Sequence, residues 1–217
     1  MKSYLTLFIL FSIFALSATG CEISPAIGGE IVSPGGILFK DDFSDPNSGW
    51  MQGEDEFGKT EYSNGGFRIF VNSDLTGKVS IPRLLFTDVI IEVDASKVAG
   101  PDDNDYGVIC RYKDENNFYF FEISSDGYYS IGKFKDNQLV LVGMEQMQTS
   151  DLIRQGQATN RIRATCIGSS LSLSVNGQLL SEVEDGDYSM GDVGLIAGTF
   201  ETPGVEILFD NFKVFKP

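Results

Sequence analysis

The chain has 217 residues, enough for one domain with a full hydrophobic core or two very small ones. Its 16 Lys and Arg stand against 31 Asp and Glu, a formal net charge of -15 that repels phosphate backbones and argues against a nucleic-acid partner. Histidine is absent, which excludes Ser-His-Asp and Cys-His nucleophilic machinery and leaves carboxylate chemistry, with a hard oxygen-ligated ion such as calcium as the plausible metal.

The chain opens with Lys2 and an apolar run from Tyr4 to about Leu16, followed by small residues. Residues 1–20 have the form of a signal peptide, too short and too interrupted for a permanent span. Ala18-Thr19-Gly20-Cys21 is similar to a bacterial lipobox, with Ala18 where leucine is usual. In that reading Cys21 is diacylated and becomes the mature N-terminus, so the protein is exported and held to a membrane by an N-terminal lipid anchor. Ordinary cleavage nearby, with Cys21 left as a thiol, is the alternative. Residues 21–36 then comprise the lipidated cysteine and a tether rich in Pro, Gly and Ser, "EISPAIGGEIVSPGG".

From Ile37 to Pro217 short apolar or alternating segments follow one another between turn signals, without a break, as expected of a single domain. "ILFKDDFSDPNSGW" (37–50) ends on the only tryptophan, Trp50. It reads either as a strand running into a tight turn with Trp50 at the core edge, or as acids beside a sugar platform. "GGFRIFVN" (65–72) places Phe67, Ile69 and Val71 on one face, and "DVIIEVDAS" (88–96) separates Val89, Ile91 and Val93 from Ile90, Glu92 and Asp94. The acidic "GPDDNDYG" (100–107) departs from an EF-hand loop and reads as a solvated turn. "YGVICRYK", "NFYFFEIS", "YYSIGKF" and "QLVLVG" come at hairpin spacing. "MQTSDLIRQGQ" (147–157) is the one stretch where a turn or two of helix is expected, before Gly156 ends it. Then follow "NRIRATCIG", "SLSLSVNGQLLSEV", "GDVGLIAGTF" and "VEILFDNFKVF". Asn176-Gly177 is the strongest hairpin signal, with Asn64-Gly65 and Asp126-Gly127 behind it. With aromatics at 12% and 24 glycines, ten to twelve such strands predict an all-β, two-sheet antiparallel sandwich. Cys110 and Cys166, an even pair in an exported protein, are expected to form a disulfide between two strands; two separately buried thiols are the alternative.

"DDFSDPNSGW", "YGVICRYKDENNFYFFEISSDGYYSIGKF", "NRIRATCIGSSLSLSVNGQLL", "GDVGLIAGTF" and the closing "ILFDNFKVF" occur in an order that resembles the concanavalin A-like (laminin-G-like) jelly rolls, in particular bacterial extracytoplasmic modules of that superfamily. The resemblance spans residues 37–217. It implies a curved sandwich whose concave sheet holds a glycan, while the superfamily's range runs from lectins and carbohydrate-binding modules to glycosidases and adhesion domains.

Three sites follow from the residues and this resemblance. Laminarinase-type glycosidases of this fold carry Glu-x-Asp-x-x-Glu on a concave strand; here Glu92 and Asp94 match the first two places and Lys97 replaces the acid/base. Lysine, charged at neutral pH, is no substitute for that acid, so catalysis through Glu92 and Asp94 is the weaker reading and a solvated strand face the stronger. Sandwich carbohydrate-binding modules often share a structural calcium between the first and last strands. The resemblance therefore implies Asp42 and Asp210 as ligands, against the alternative that 45–49 is only a turn. Finally, glycan sites pair a ring with polar side chains, and Arg111, Tyr119, Glu122 and Tyr128 lie on neighbouring strands. Core packing of the rings and a cross-strand Arg111–Glu122 pair are the alternative. The expected function is non-catalytic binding of a polysaccharide or surface polymer by an exported lipoprotein. A glycoside hydrolase or lyase, or a protein-interaction module without a sugar site, are the other readings.

Overall fold

A computed structural model describes residues 32–217, the unit that holds every strand named below. The leader, Cys21 and the first part of the tether lie outside the described residues. Sixteen strands run through the unit: β1 (Ile37–Asp41), β2 (Gly53–Asp55), β3 (Gly58–Ser63), β4 (Gly66–Val71), β5 (Gly77–Ser80), β6 (Val89–Ala99), β7 (Asn104–Asp114) and β8 (Asn117–Ile123). The second half holds β9 (Tyr128–Lys135), β10 (Gln138–Leu141), β11 (Gln148–Thr149), β12 (Thr159–Ile167), β13 (Ser170–Val175), β14 (Gln178–Glu184), β15 (Asp192–Thr199) and β16 (Val205–Phe215). They form two antiparallel sheets. Sheet one runs β14-β13-β12-β6-β16-β4-β3-β2, with β1 also on β16; sheet two runs β10-β9-β8-β7-β15-β5, with β11 on β9. This is the all-β sandwich that the alternation predicts.

The hairpins form where the turn residues put them. Asn64-Gly65 joins β3 to β4 and Asn176-Gly177 joins β13 to β14, all four residues with positive φ, the backbone twist that matches paired strands. Asp136-Asn137, a turn without glycine, does the same between β9 and β10. No helix forms among the described residues: 147–157 holds β11 and a turn closed by Ile153 N–H on the Ser150 carbonyl at 3.3 Å. The fold also begins earlier than Ile37, because Gly35 N–H bonds Lys216 O and Lys216 N–H bonds Gly36 O, at 2.8 and 2.9 Å.

First and last strands pair, Asp41 lying opposite Phe212. That pairing seats Trp50, 4% exposed, among Phe43, Phe67 and Phe212, with its Nε1 donating to Asp41 Oδ2 at 2.9 Å. Trp50 is therefore core and not a sugar platform. Between the sheets, Cys110 on β7 and Cys166 on β12 form a disulfide that ties one layer to the other.

The two sheets bury their strands differently. β6, β12 and β13 alternate, one face in the core and one partly wet. β8 "NFYFFEI" and β15 "DVGLIAGT" are buried almost throughout. The outer face of sheet two carries a second, small apolar cluster of Ile109, Phe118, Phe120 and Ile196. A sheet face that is apolar and turned away from the main core is where a sandwich can hold a ligand.

Candidate functional site

Register fixes which side chains share that outer face. Glu122 on β8 lies opposite Gly107 on β7, Ile196 on β15 lies opposite Gly107 as well, and Gly198 lies opposite Asp105. On the other side Glu122, Phe120 and Phe118 face Ser130, Gly132 and Phe134 of β9. Two of the glycines make room. A methyl group on Gly198 would come within 2.2 Å of Asp105 Oδ1, and one on Gly132 within 2.2 Å of Phe120 Cζ. The Asp105 carboxyl and the Phe120 ring thus lie low over glycines, and the strand surface around them forms a trough.

The trough contains a cavity of about 220 Å³ lined by Asp105, Glu122, Phe134, Leu139, Ile196 and Gly198. Phe134 and Ile196 also line a wider cleft of about 690 Å³, walled by residues from Met51 to Asp55 and from Leu75 to Val79. Leu75 and Leu139, which both line the smaller cavity, are exposed at 79% and 59%. Lys78 is the only cation lining the cleft, and it is taken by Asp55, whose two oxygens accept from Nζ at 2.7 and 2.8 Å.

Glu122 is 6% exposed, and among the described residues no protein group hydrogen-bonds the carboxyl of either Glu122 or Asp105. Burial first, and then the neighbouring Asp105 charge, raise the Glu122 pKa well above the ordinary carboxylate range. Burial, with a smaller push from Asp103, takes Asp105 up to about 7. A carboxyl whose folded pKa exceeds its unfolded value binds more protons when folded, so stability falls as pH rises between the two values. Unfolding free energy should therefore fall as pH rises from about 4 through 7. Glu122→Gln and Asp105→Asn should each flatten that slope in denaturant titrations. Asp192, held at about 6 by burial, acts in the same sense, so the slope is reduced and not abolished. A slope identical to the wild type in both variants would refute the assignment.

The residues singled out in the sequence scatter. Only Glu122 lies in the trough. Arg111 is 1% exposed on a bulge of β7 with φ 52°, and its guanidinium donates to Tyr188 O at 2.7 Å and Asp88 Oδ1 at 3.2 Å. Tyr119 is on the inner face of β8 and donates to Asp185 Oδ1 at 2.5 Å. Tyr128, 41% exposed, borders a different hollow with Asp103, Asp126 and Met147. The alternative, a cross-strand Arg111–Glu122 pair, does not form either, because the bulge after Cys110 sends Arg111 to the side opposite Glu122.

Glu92 and Asp94 lie on the outer face of sheet one. Arg163 bonds Glu92, Arg161 clamps both Asp94 oxygens at 2.8 Å, and Asn211 adds a contact of 3.1 Å. The Arg161 hydrogen bonds hold the Asp94 pKa below the usual carboxylate value, the reverse of what a general acid requires. Lys97 is buried and bonded to Asp102.

Asp42 lines a hollow with Lys40, Asp41, Asn211 and Lys213, while Asp210 makes its contacts with its own neighbours. Asp42 accepts from Ser44 N and Oγ at 3.1 and 2.6 Å, Asp210 accepts from Asn211 N at 2.6 Å, and the strand register sets Asp210 against Asp94. No group of three or more His, Cys, Asp or Glu is placed to hold a metal among the described residues.

Asp105 is the residue that sequence reasoning passed over. In the sequence it reads as part of an acidic turn, whereas in "NDYGVIC" it holds the outward phase of a strand whose inward phase is Tyr106, Val108 and Cys110.

Two apolar-cored antiparallel sheets, one with a recessed outer face, define a concanavalin A-like jelly roll. The chain is similar in structure to carbohydrate-binding module CBM66 from Bacillus subtilis, at TM-score 0.63 and 16% identity over 77% of this chain and 96% of that one. A protein of unknown function with a galectin-like fold from Bacillus subtilis superposes at TM-score 0.61 and 12% identity, covering 85% and 97% of the two chains. A Bacillus licheniformis beta-glucanase gives TM-score 0.61 and 10% identity, covering 82% and 98%. No protein-family model matches the chain, and no curated protein matches it in sequence.

Proposed function

We propose that this protein is a non-catalytic carbohydrate-binding module of an exported, lipid-anchored protein, and that the trough on sheet two is its glycan site. The observation that carries the reading is the trough itself, where the Phe134 ring and the Leu139 side chain border two carboxyls with no protein partner. Apolar surface packs on sugar C–H groups and carboxyls hydrogen-bond hydroxyls, the combination that sugar sites use. The similar solved structures include one described as a carbohydrate-binding module and one as a beta-glucanase, which supports a sugar ligand without specifying it. The anchor rests on the lipobox-like Ala18-Thr19-Gly20-Cys21.

The test uses full-length protein extracted from membranes, with diacylation of Cys21 read in its mass spectrum, applied to a glycan array. Retention of a defined oligosaccharide is expected, and Phe134→Ala should weaken it about tenfold, near 1.4 kcal/mol, measured on folded variant at a temperature well below its melting point. An array without binding, or a Phe134→Ala variant that binds as the wild type does, refutes the site. An unmodified Cys21 refutes the anchor. Release of reducing sugar that is lost in Glu122→Gln would instead make the trough a hydrolase site.

A further inference from the structure

We propose that the trough selects glycans carrying a free amino group, as in a polymer of hexosamine, and that Asp105 and Glu122 receive its ammonium. This rests on the reading of the trough as a carbohydrate site. Glu122 is buried and lines the cavity, and no protein group donates a hydrogen bond to it. Asp105 stands on the next strand, two residues before Gly107, the residue opposite Glu122. Diagonal neighbours of this kind have Cβ atoms roughly 7 Å apart, a span that one ammonium group donating in two directions bridges.

The surroundings leave that role open to a ligand. No lysine or arginine lines the inner cavity, and Lys78 in the wider cleft is bound to Asp55. A buried, unpaired carboxylate is costly, so the site is stabilised by a proton or by a cation. A neutral hydroxyl supplies a donor but leaves the charge uncompensated. A divalent metal prefers six or more oxygens, and no third acid joins the pair in the cavity lining. An ammonium on a sugar ring meets both requirements: it neutralises the pair while the ring packs on Phe134, Leu139 and Leu75, all three of which line the cavity. The formal charge of -15 adds attraction for a cationic polymer at long range.

The experiment is calorimetric titration of the whole protein with a glucosamine tetrasaccharide, its N-acetylated counterpart and tetralysine, at about pH 6, where the amines are protonated. The amino sugar is expected to bind at least tenfold more tightly than the acetylated one, about 1.4 kcal/mol. Binding should also release protons, seen as heats that differ between buffers of unlike ionisation enthalpy. Glu122→Gln and Asp105→Asn should erase the preference, whereas Glu182→Gln, which removes an exposed charge from β14 of the other sheet, should keep it. Equal binding of the two sugars overturns the inference and leaves the carbohydrate site standing. Failure of every sugar to bind removes both. Tetralysine binding as tightly as the amino sugar, with the same dependence on Glu122, overturns the sugar selectivity in favour of a simple cation site.

Discussion

Replacing Cys110 and Cys166 together by alanine is expected to lower the unfolding free energy by about 4 kcal/mol, the chain-entropy value for a loop closed over a separation of 56 residues. The bond joins β7 of one sheet to β12 of the other, and both residues are fully buried in the main core. Without it the unfolded chain regains the freedom of everything between, including β8 to β11, the part of sheet two that carries Glu122 and Phe134. Chemical denaturation of the double variant, beside the wild type with and without reductant, measures this. The variant and the reduced wild type should share a midpoint well below that of the oxidised protein. A loss under about 1 kcal/mol would mean that the sheets hold each other by packing alone.

Trp50→Ala is expected to cost a similar amount, roughly 3–5 kcal/mol, through the cavity it leaves. The ring sits 4.9 Å from Phe212, 5.2 Å from Phe43 and 5.5 Å from Phe67, so its removal takes support from β16, from β4 and from the turn after β1 at once. Trp50→Phe separates packing from polarity. It keeps most of the apolar volume but strips Asp41 Oδ2 of the indole donor, leaving Oδ1 bonded to Phe43 N at 2.7 Å. That variant should lose about 1–3 kcal/mol, the penalty for an unsatisfied buried acceptor. Equal losses in the two variants would place the whole contribution in the hydrogen bond. Losses below 1 kcal/mol in both would return Trp50 to the surface role that the structure denies it.

The stretch from Ile37 to Trp50 shows how far residues alone carry. Its alternation and turn residues located the first strand and its end, but three nearby acids read alike. Folding separates them: Asp41 turns inward and clasps Trp50, Asp42 binds Ser44, and Asp45 caps its own turn through Asn47 N at 2.9 Å. Arg111 and Glu122 likewise looked like neighbours across a hairpin, until a bulge put them on opposite faces. Glu92 and Asp94 did share a face, as the two-residue period requires, but the partners that neutralise them, Arg163 and Arg161, come from β12, about 70 residues away.

Composition, alternation and turn chemistry are local properties, and they determined the all-β sandwich, the Asn-Gly hairpins and the eligibility of Cys110 and Cys166 to pair. What the tertiary structure alone decided was the company each polar side chain keeps. Asp105 and Glu122 become a pair through antiparallel register and the bulge in β7, and they become an unusual pair because Gly198, Phe134 and Ile196 withdraw water from them without supplying a donor. Burial and register are sums over distant segments, so the carboxyls on which the proposed site turns stand out only once the sheets are assembled.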